Sequence, residues 1–176
     1  LARMAEANPR YKAFFLDYDS LKKMADSGDA ATLMAMLQKE LHQVNDIVEV
    51  EWESLESQLK NWLSKGGADD ITSLENLSKA LLQLHEFSEM NYKSFRKIMT
   101  RCGERQSTSS CTWFMDRVDN SSFRQRNWDI ALAQLGQLYA VWRDKSSQTQ
   151  EGAATNALGE YSSEAYLVPV TNTMRV

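Results

Sequence analysis

Apolar residues recur along most of the chain at alternating spacings of three and four, a pattern typical of amphipathic helices that pack lengthwise. The pattern is most regular over 29–65, where it comprises Leu33, Leu37, Leu41, Val44, Val48, Trp52, Leu55, Leu59 and Trp62. Asp29 can cap the start of this helix, and Gly66-Gly67 can end it. At ~1.5 Å per residue the predicted helix exceeds ~50 Å, a length that favours an elongated bundle.

A second long helix is predicted from Asp70 to Cys102. Its apolar positions have the same spacing and are Leu74, Leu77, Leu81, Leu84, Phe95 and Ile98. Asp69 or Asp70 can cap its start, and Gly103 follows its end. Because only a short Gly-Gly turn separates the two long helices, they are expected to form an antiparallel αα-hairpin.

Three shorter elements complete the predicted fold. They are a helix over Arg10–Asp26, a short apolar element over Trp113–Val118 and a helix over Asn127–Lys145, with a polar loop over Glu104–Ser110 before the second of them. Proline occurs only at positions 9 and 169, so no proline interrupts the chain between them. The sequence therefore predicts an all-α fold, an elongated bundle of three main helices of which two are long and antiparallel.

The composition changes after Asp144, which predicts a domain boundary. Residues 1–145 are expected to form one helical domain, and 146–176, rich in Ser, Gln, Thr, Gly and Ala, a flexible linker. The short apolar segment Ala165–Val170 is typical of a first strand of a further domain. Since the chain begins at Leu1 without Met, we interpret it as part of a longer protein.

Composition excludes several classes of protein. The net charge of −4 argues against a general nucleic-acid binder, so an anion site has to be a local patch. No apolar run approaches the ~20 residues of a membrane-spanning helix. Cys102 and Cys111 are too few for a disulfide framework, which favours a reduced intracellular protein.

Catalytic and cofactor motifs are missing from the sequence. There is no phosphate-binding P-loop, no nucleophile elbow, no HisGluXXHis zinc motif and no EF-hand loop. His42 and His85 stand alone, as expected for surface or internally paired histidines rather than metal ligands. The carboxylates of Glu49, Glu51, Glu53 and Glu56 are best explained as a solvated helix face. The sequence therefore predicts neither an enzyme nor a cofactor or metal site.

Basic residues cluster at two places. Lys93, Arg96, Lys97, Arg101 and Arg105 lie near the end of the second long helix, and Lys12, Lys22 and Lys23 lie on the first helix. Several cations that converge from two elements, together with a hydroxyl donor such as Tyr18, suit a ligand with several phosphate groups. The helix dipole gives an alternative explanation, because each cation near a helix C-terminus gains ~0.3–1 kcal/mol. On composition alone, the helix dipole is the better explanation of the basic cluster.

Two stretches resemble motifs of the SPX family. Residues 18–23, YDSLKK, resemble its Tyr-x-x-Leu-Lys signature, and residues 84–101, LHEFSEMNYKSFRKIMTR, resemble its Leu-Asn-Tyr-x-x-Phe-x-Lys-Ile pattern. Residues 114–143 are similar to the end of the SPX domain in vacuolar transporter chaperone subunits. In order and with suitable spacing, these motifs identify an SPX-like domain over roughly 10–143.

The resemblance implies a helical bundle preceded by an N-terminal helical hairpin, with a basic surface that binds inositol polyphosphates and pyrophosphates. Such a domain senses phosphate status and controls a polyphosphate polymerase together with sister subunits, at the cytosolic face of a vacuole or acidocalcisome membrane. Motif positions and neighbouring basic residues give the expected ligand-binding set, which is Tyr18, Lys22, Lys23, Lys93, Arg96, Lys97 and Arg101.

The chain departs from the family pattern at two cationic positions. Thr100 stands where the family has a lysine of the phosphate-binding cluster, and Glu104 reverses the charge of another lysine position. Arg96 and Lys93 lie one and two turns before Thr100, respectively, and can replace the lost cation. Alternatively, the chain is a degenerate SPX domain that serves subunit assembly, or the SPX domain of a phosphate transporter or exporter.

Overall fold

A computed structural model describes residues 8–67, 70–104 and 108–160 of the chain, with side chains described except at 108 and 148–160. A 3-10 helix at Pro9–Phe14 is followed by five α-helices. They are α1 (Tyr18–Ser27), α2 (Ala30–Ser64), α3 (Ile71–Gly103), α4 (Thr108–Asp119) and α5 (Trp128–Glu160). The described residues contain no β-strand, and the predicted all-α elongated bundle is confirmed.

The long hairpin formed by α2 and α3 matches its predicted bounds to within one residue at each end. Asp29 accepts a hydrogen bond from the Thr32 N–H at 3.1 Å, and Asp70 accepts one from the Ser73 N–H at 2.7 Å, so both predicted N-caps are confirmed. Two successive glycines turn the chain between the helices with φ of 74° and 133°, a conformation that residues with a Cβ rarely adopt. The predicted leucine seam of α2 is buried.

The single helix predicted over Arg10–Asp26 is wrong, because the chain is extended between Phe14 and Tyr18. Phe15 has φ −68° and ψ 142°, outside the helical region. The Leu16 N–H donates to the Asn91 Oδ1 of α3 at 3.1 Å, and Asp17 caps α1 by accepting from the Ser20 N–H. At the break, two hydrogen bonds therefore replace those of a continuous helix. One is the tertiary contact to α3, and the other is the N-cap of α1.

The N-terminal segment runs parallel to α3. Asn8 donates to the Gln83 carbonyl, Leu16 to Asn91, and Arg101 to Asp26, and each pair is separated by 75 residues in the sequence. The constant separation means that the two segments lie side by side and run in the same direction, from the Asn8–Gln83 pair to the Asp26–Arg101 pair. The first residue of α1 is consequently held beside the C-terminal half of α3.

The last two helices are both longer than predicted. The element expected over Trp113–Val118 is the α-helix α4, which begins at Thr108 and ends at Asp119, and α5 continues to Glu160, past the expected end at Lys145. No proline occurs between positions 9 and 169, and alanines at 153, 154 and 157 favour continued helix. Helix therefore extends into the segment interpreted as a linker. The predicted strand at Ala165–Val170 lies outside the described residues.

Helix α3 lies at the centre of the bundle and packs against α1, α2, α4 and α5. Its buried Phe95 ring contacts the rings of Phe114 on α4 and Phe123 on the following loop. No helix within the described ranges has the length and apolar character needed to cross a membrane. The central position of α3 leaves one side of its last turns open, beside α1.

Candidate functional site

A cavity of about 440 Å³ lies between the start of α1 and the last turns of α3. Its lining residues, nearly all of them polar or charged, are Tyr18, Lys93, Arg96, Lys97, Thr100, Arg101 and Glu104. The five α3 residues, and Glu104 directly after the helix, follow one another at spacings that place them on one side of the helix. Four cations face a single carboxylate in this lining, so the cavity suits an anion.

The packing of α3 explains why its cations point into this cavity. Ser94, Phe95, Ile98, Met99 and Cys102 occupy the other side of the same turns, and all five are buried. A helix that buries one side must expose the other, so Lys93, Arg96 and Lys97 are held at the surface. Burial of apolar neighbours therefore fixes the direction of the charged side chains.

Three of the four cations are available to a ligand. Within 8–67, 70–104 and 108–160, no ion pair is formed by Lys93, Arg96 or Lys97. The Arg96 guanidinium lies 5.9 Å from the centre of the Tyr92 ring, a distance that permits a cation–π contact. Unpaired surface cations of this kind can exchange water for phosphate oxygens.

Arg101 differs from the other three cations because a carboxylate of α1 already holds it. Its Nε donates to the Asp26 Oδ1 at 2.6 Å and its Nη2 to the Asp26 Oδ2 at 2.8 Å, a bidentate pair. The hydrogen bond to Asp26 is the main cause of a raised pKa for the Arg101 guanidinium, so it stays charged. Sequence reasoning missed Asp26, because nothing in its surroundings marks a partner 75 residues away.

Helix α1 contributes fewer side chains to the cavity than expected. Tyr18, the first residue of α1, is half-buried and lines the cavity. Lys22 is half-buried and Lys23 is exposed, and neither is part of the lining. The charge of Lys23 instead helps to lower the pKa of Asp17, after the larger effect of the Ser20 hydrogen bonds. The structure thus brings five of the seven expected residues together.

Both departures from the family pattern lie at the cavity. Thr100 lines it, and its hydroxyl donates to the Arg96 carbonyl at 3.0 Å, one turn back along α3. Glu104 lines it as well, next to the end of α3. Lys93 and Arg96 lie in the same lining as Thr100, and their proposed replacement of a family lysine stays a prediction.

A neighbouring groove of about 690 Å³ shares Arg96, Thr100 and Glu104 with the cavity and extends to Met115 and Asp119 of α4. Cys111 also lines it and contacts Cys102 at the end of α3. Burial, with a smaller effect from Cys111, raises the pKa of the Cys102 thiol to about 12. No group of side chains in the described part of the chain is arranged to hold a metal ion.

Comparison with known proteins finds similarity both to solved structures and to a known sequence. No protein-family model matches the chain. The SPX domain of glycerophosphodiester phosphodiesterase 1 from Chaetomium thermophilum, solved in complex with inositol hexakisphosphate, is similar with a TM-score of 0.64. The two chains are 20% identical, and the similarity covers 80% of this chain and 97% of that domain.

The sequence relative is vacuolar transporter chaperone complex subunit 2 of Toxoplasma gondii. It is 30% identical over 70 residues, which are 40% of this chain but only 5% of that protein. The similarity therefore spans a small part of that relative's length. Together with the helix order and the arrangement of α1 beside α3, these comparisons show that the chain has the SPX fold.

Proposed function

We propose that this chain is a regulatory domain that binds inositol polyphosphates and pyrophosphates and has no catalytic activity of its own. One observation carries the proposal, the cavity in which Lys93, Arg96, Lys97 and Arg101 lie together with the Tyr18 hydroxyl. The ligand is a polyanion because four convergent cations greatly exceed what one phosphate group requires.

The side-chain types match the chemistry of phosphate groups. Arginine offers parallel N–H donors to one phosphate, and lysine offers a mobile point charge that adapts to the next. Each hydrogen bond between charged groups contributes ~1.5–3 kcal/mol, and three exposed cations on adjacent turns allow several such bonds at once.

Similarity supports the biological part of the proposal. The structural relative was solved with inositol hexakisphosphate, and the sequence relative is a subunit of a vacuolar transporter chaperone complex. By extension, we propose that this chain is a phosphate sensor. It would act on a polyphosphate-synthesising complex of sister subunits, at the cytosolic face of a vacuole or acidocalcisome membrane. A ligand that joins Tyr18 to α3 would report phosphate status by changing how α1 and α3 meet neighbouring domains.

Titration calorimetry at physiological salt tests the binding. The chain is expected to bind inositol hexakisphosphate and a higher inositol pyrophosphate with micromolar affinity or better, and inorganic phosphate far more weakly. Replacing Lys93, Arg96 and Lys97 together by Ala is expected to lower the affinity at least ~100-fold. Lys79→Ala is the matched control, because Lys79 is an exposed lysine of the same helix outside the cavity. Equal affinity of the triple variant and the parent would contradict the proposed site.

A second candidate function is subunit assembly without a ligand. It is favoured by the two carboxylates near Arg101, since Asp26 pairs with it and Glu104 lines the same cavity. This alternative predicts no calorimetric response to either inositol phosphate and unchanged association with sister subunits when the cavity cations are removed. Co-purification of the triple variant with the complex separates the two functions.

A further inference from the structure

Asp26 occupies the part of Arg101 that a phosphate group would use. The Nε and Nη2 donors form one edge of the guanidinium, and both already bond to the two Asp26 oxygens, at 2.6 Å and 2.8 Å. Arginine commonly uses this edge for bidentate binding of phosphate as well as carboxylate. A phosphate group at this position therefore has to replace a carboxylate rather than water.

No carboxylate occupies the other three cations of the cavity within the described residues. Lys93, Arg96 and Lys97 pair with no carboxylate in the described part of the chain. The Asp26–Arg101 pair is partly exposed, since the Arg101 side chain is 36% exposed and that of Asp26 32%. Because Asp26 pairs with Arg101, a residue of the lining, its negative charge lies next to the cavity.

We propose that Asp26 competes with ligand phosphate for Arg101, and thereby lowers the affinity of the cavity for ligands with several phosphate groups. The inference rests on the proposed polyanion site. A ligand with several phosphate groups can bind Lys93, Arg96 and Lys97 first and then displace Asp26, whereas a singly phosphorylated ligand lacks those additional contacts. The carboxylate therefore weakens binding most for ligands that reach Arg101.

Asp26→Asn tests this directly, because the amide keeps the side-chain length and one hydrogen-bond acceptor but removes the charge. Calorimetry is expected to show inositol hexakisphosphate bound about tenfold more tightly than by the parent, with the gain shrinking as salt increases. Inorganic phosphate is expected to gain less than twofold, since it carries fewer charges. The gain should therefore increase with the number of phosphate groups.

Two further variants separate charge from structure. Asp19→Asn removes the same charge from an exposed position of α1 outside the cavity lining, and is expected to leave the affinity within twofold of the parent. Asp26→Glu keeps the charge while disturbing the geometry of the pair, and its affinity should stay well below that of Asp26→Asn. If Asp26→Glu instead bound as tightly as Asp26→Asn, loosening of α1 would explain the gain and the competition would be refuted.

The outcomes distinguish this inference from the proposed function. If the parent binds and Asp26→Asn binds equally or more weakly, the competition is wrong while the site stands. If the parent shows no binding and Asp26→Asn binds, Asp26 is a complete block and the competition is upheld, but the parent is not a sensor. If neither protein binds either ligand, both proposals are refuted.

Discussion

The two sides of the C-terminal half of α3 use polar residues in opposite ways. On the buried side, Asn91 donates to the Phe87 carbonyl and accepts from the Leu16 N–H, and Ser94 donates to the Met90 carbonyl. On the open side, Lys93, Arg96 and Lys97 are exposed, and they have no ion-pair partner among the residues that the structure describes. One short stretch of sequence therefore carries both kinds of polar group.

This contrast distinguishes polar residues that stabilise the fold from polar residues that are available to bind a ligand. A buried polar group without a partner is costly, so Asn91 and Ser94 have partners within the protein. An exposed cation is solvated by water and can remain without a protein partner at little cost. The buried side is thus expected to determine stability, and the open side to determine binding.

The largest effect on stability is expected on the buried side, from Phe95→Ala. The Phe95 ring is fully buried and contacts the rings of Phe114 and Phe123, so its removal leaves a cavity where three elements meet. We expect the free energy of unfolding to fall by ~3–5 kcal/mol, measured by chemical denaturation. A loss below 1 kcal/mol would show that this side of α3 does not carry the core.

The next largest effect is expected from Asn91→Ala. The substitution leaves the buried Leu16 N–H without its acceptor and removes one connection between α3 and the N-terminal segment. A loss of ~1–3 kcal/mol is expected in denaturation. Hydrogen exchange gives a specific readout, because the Leu16 amide should lose protection while amides in the middle of α2 keep theirs. Unchanged protection at Leu16 would rule out the bridging role.

Asp17→Ala tests a case between the buried and the open side, because Asp17 is an exposed polar residue with a structural role. Its side chain caps α1 by accepting from the Ser20 N–H at 3.2 Å, and loss of such a cap costs about 1 kcal/mol. Thermal unfolding of the variant should detect this loss. Asp17→Asn is the control, since asparagine caps helices comparably well. Equal stability of Asp17→Ala and the parent would contradict the capping role.

The same caps predict how stability depends on pH. Hydrogen bonds from Ser20, Thr32 and Ser73 lower the pKa values of the carboxyl groups of Asp17, Asp29 and Asp70 below their usual range. A lowered folded-state pKa stabilises the fold above the unfolded-state pKa of ~3.9, and this contribution is lost as the pH falls through the folded-state value. Unfolding measured between neutral pH and strongly acidic pH should therefore show declining stability at the acidic end, with a smaller decline in a protein carrying Asp17→Asn.

The smallest effect on stability is expected on the open side, from Lys97→Ala. Because Lys97 is exposed and unpaired within the described residues, its removal should change the free energy of unfolding by less than ~0.5 kcal/mol. The affinity of the same variant for inositol hexakisphosphate should be lower by a factor of about ten or more. A large loss of stability would mean that Lys97 belongs with the structural polar groups.

The long elements could be predicted from sequence because their signals are local. The three-and-four seam, the Asp29 and Asp70 caps and the glycine turn all lie within or next to the helices that they define. The break at Phe15–Asp17 could not, because it depends on a hydrogen bond between Leu16 and Asn91, 75 residues apart.

The candidate site was predictable to the same limited extent. Helical spacing places Lys93, Arg96, Lys97 and Arg101 near one another, and the structure keeps them in one cavity. Tyr18 and Lys22 both belong to the expected ligand-binding set, yet only Tyr18 lines the cavity. The pairing of Arg101 with Asp26 is a long-range contact without a sequence signal.

Amide chemical-shift mapping by NMR during titration with inositol hexakisphosphate tests the central claim most directly, because it locates the bound ligand on the protein. The account predicts the largest shifts at Tyr18 and between Lys93 and Glu104, with little change at the hairpin turn near Lys65 and Gly66. Shifts concentrated at that turn, or spread evenly over the exposed lysines, would contradict the assignment of the cavity as the ligand site.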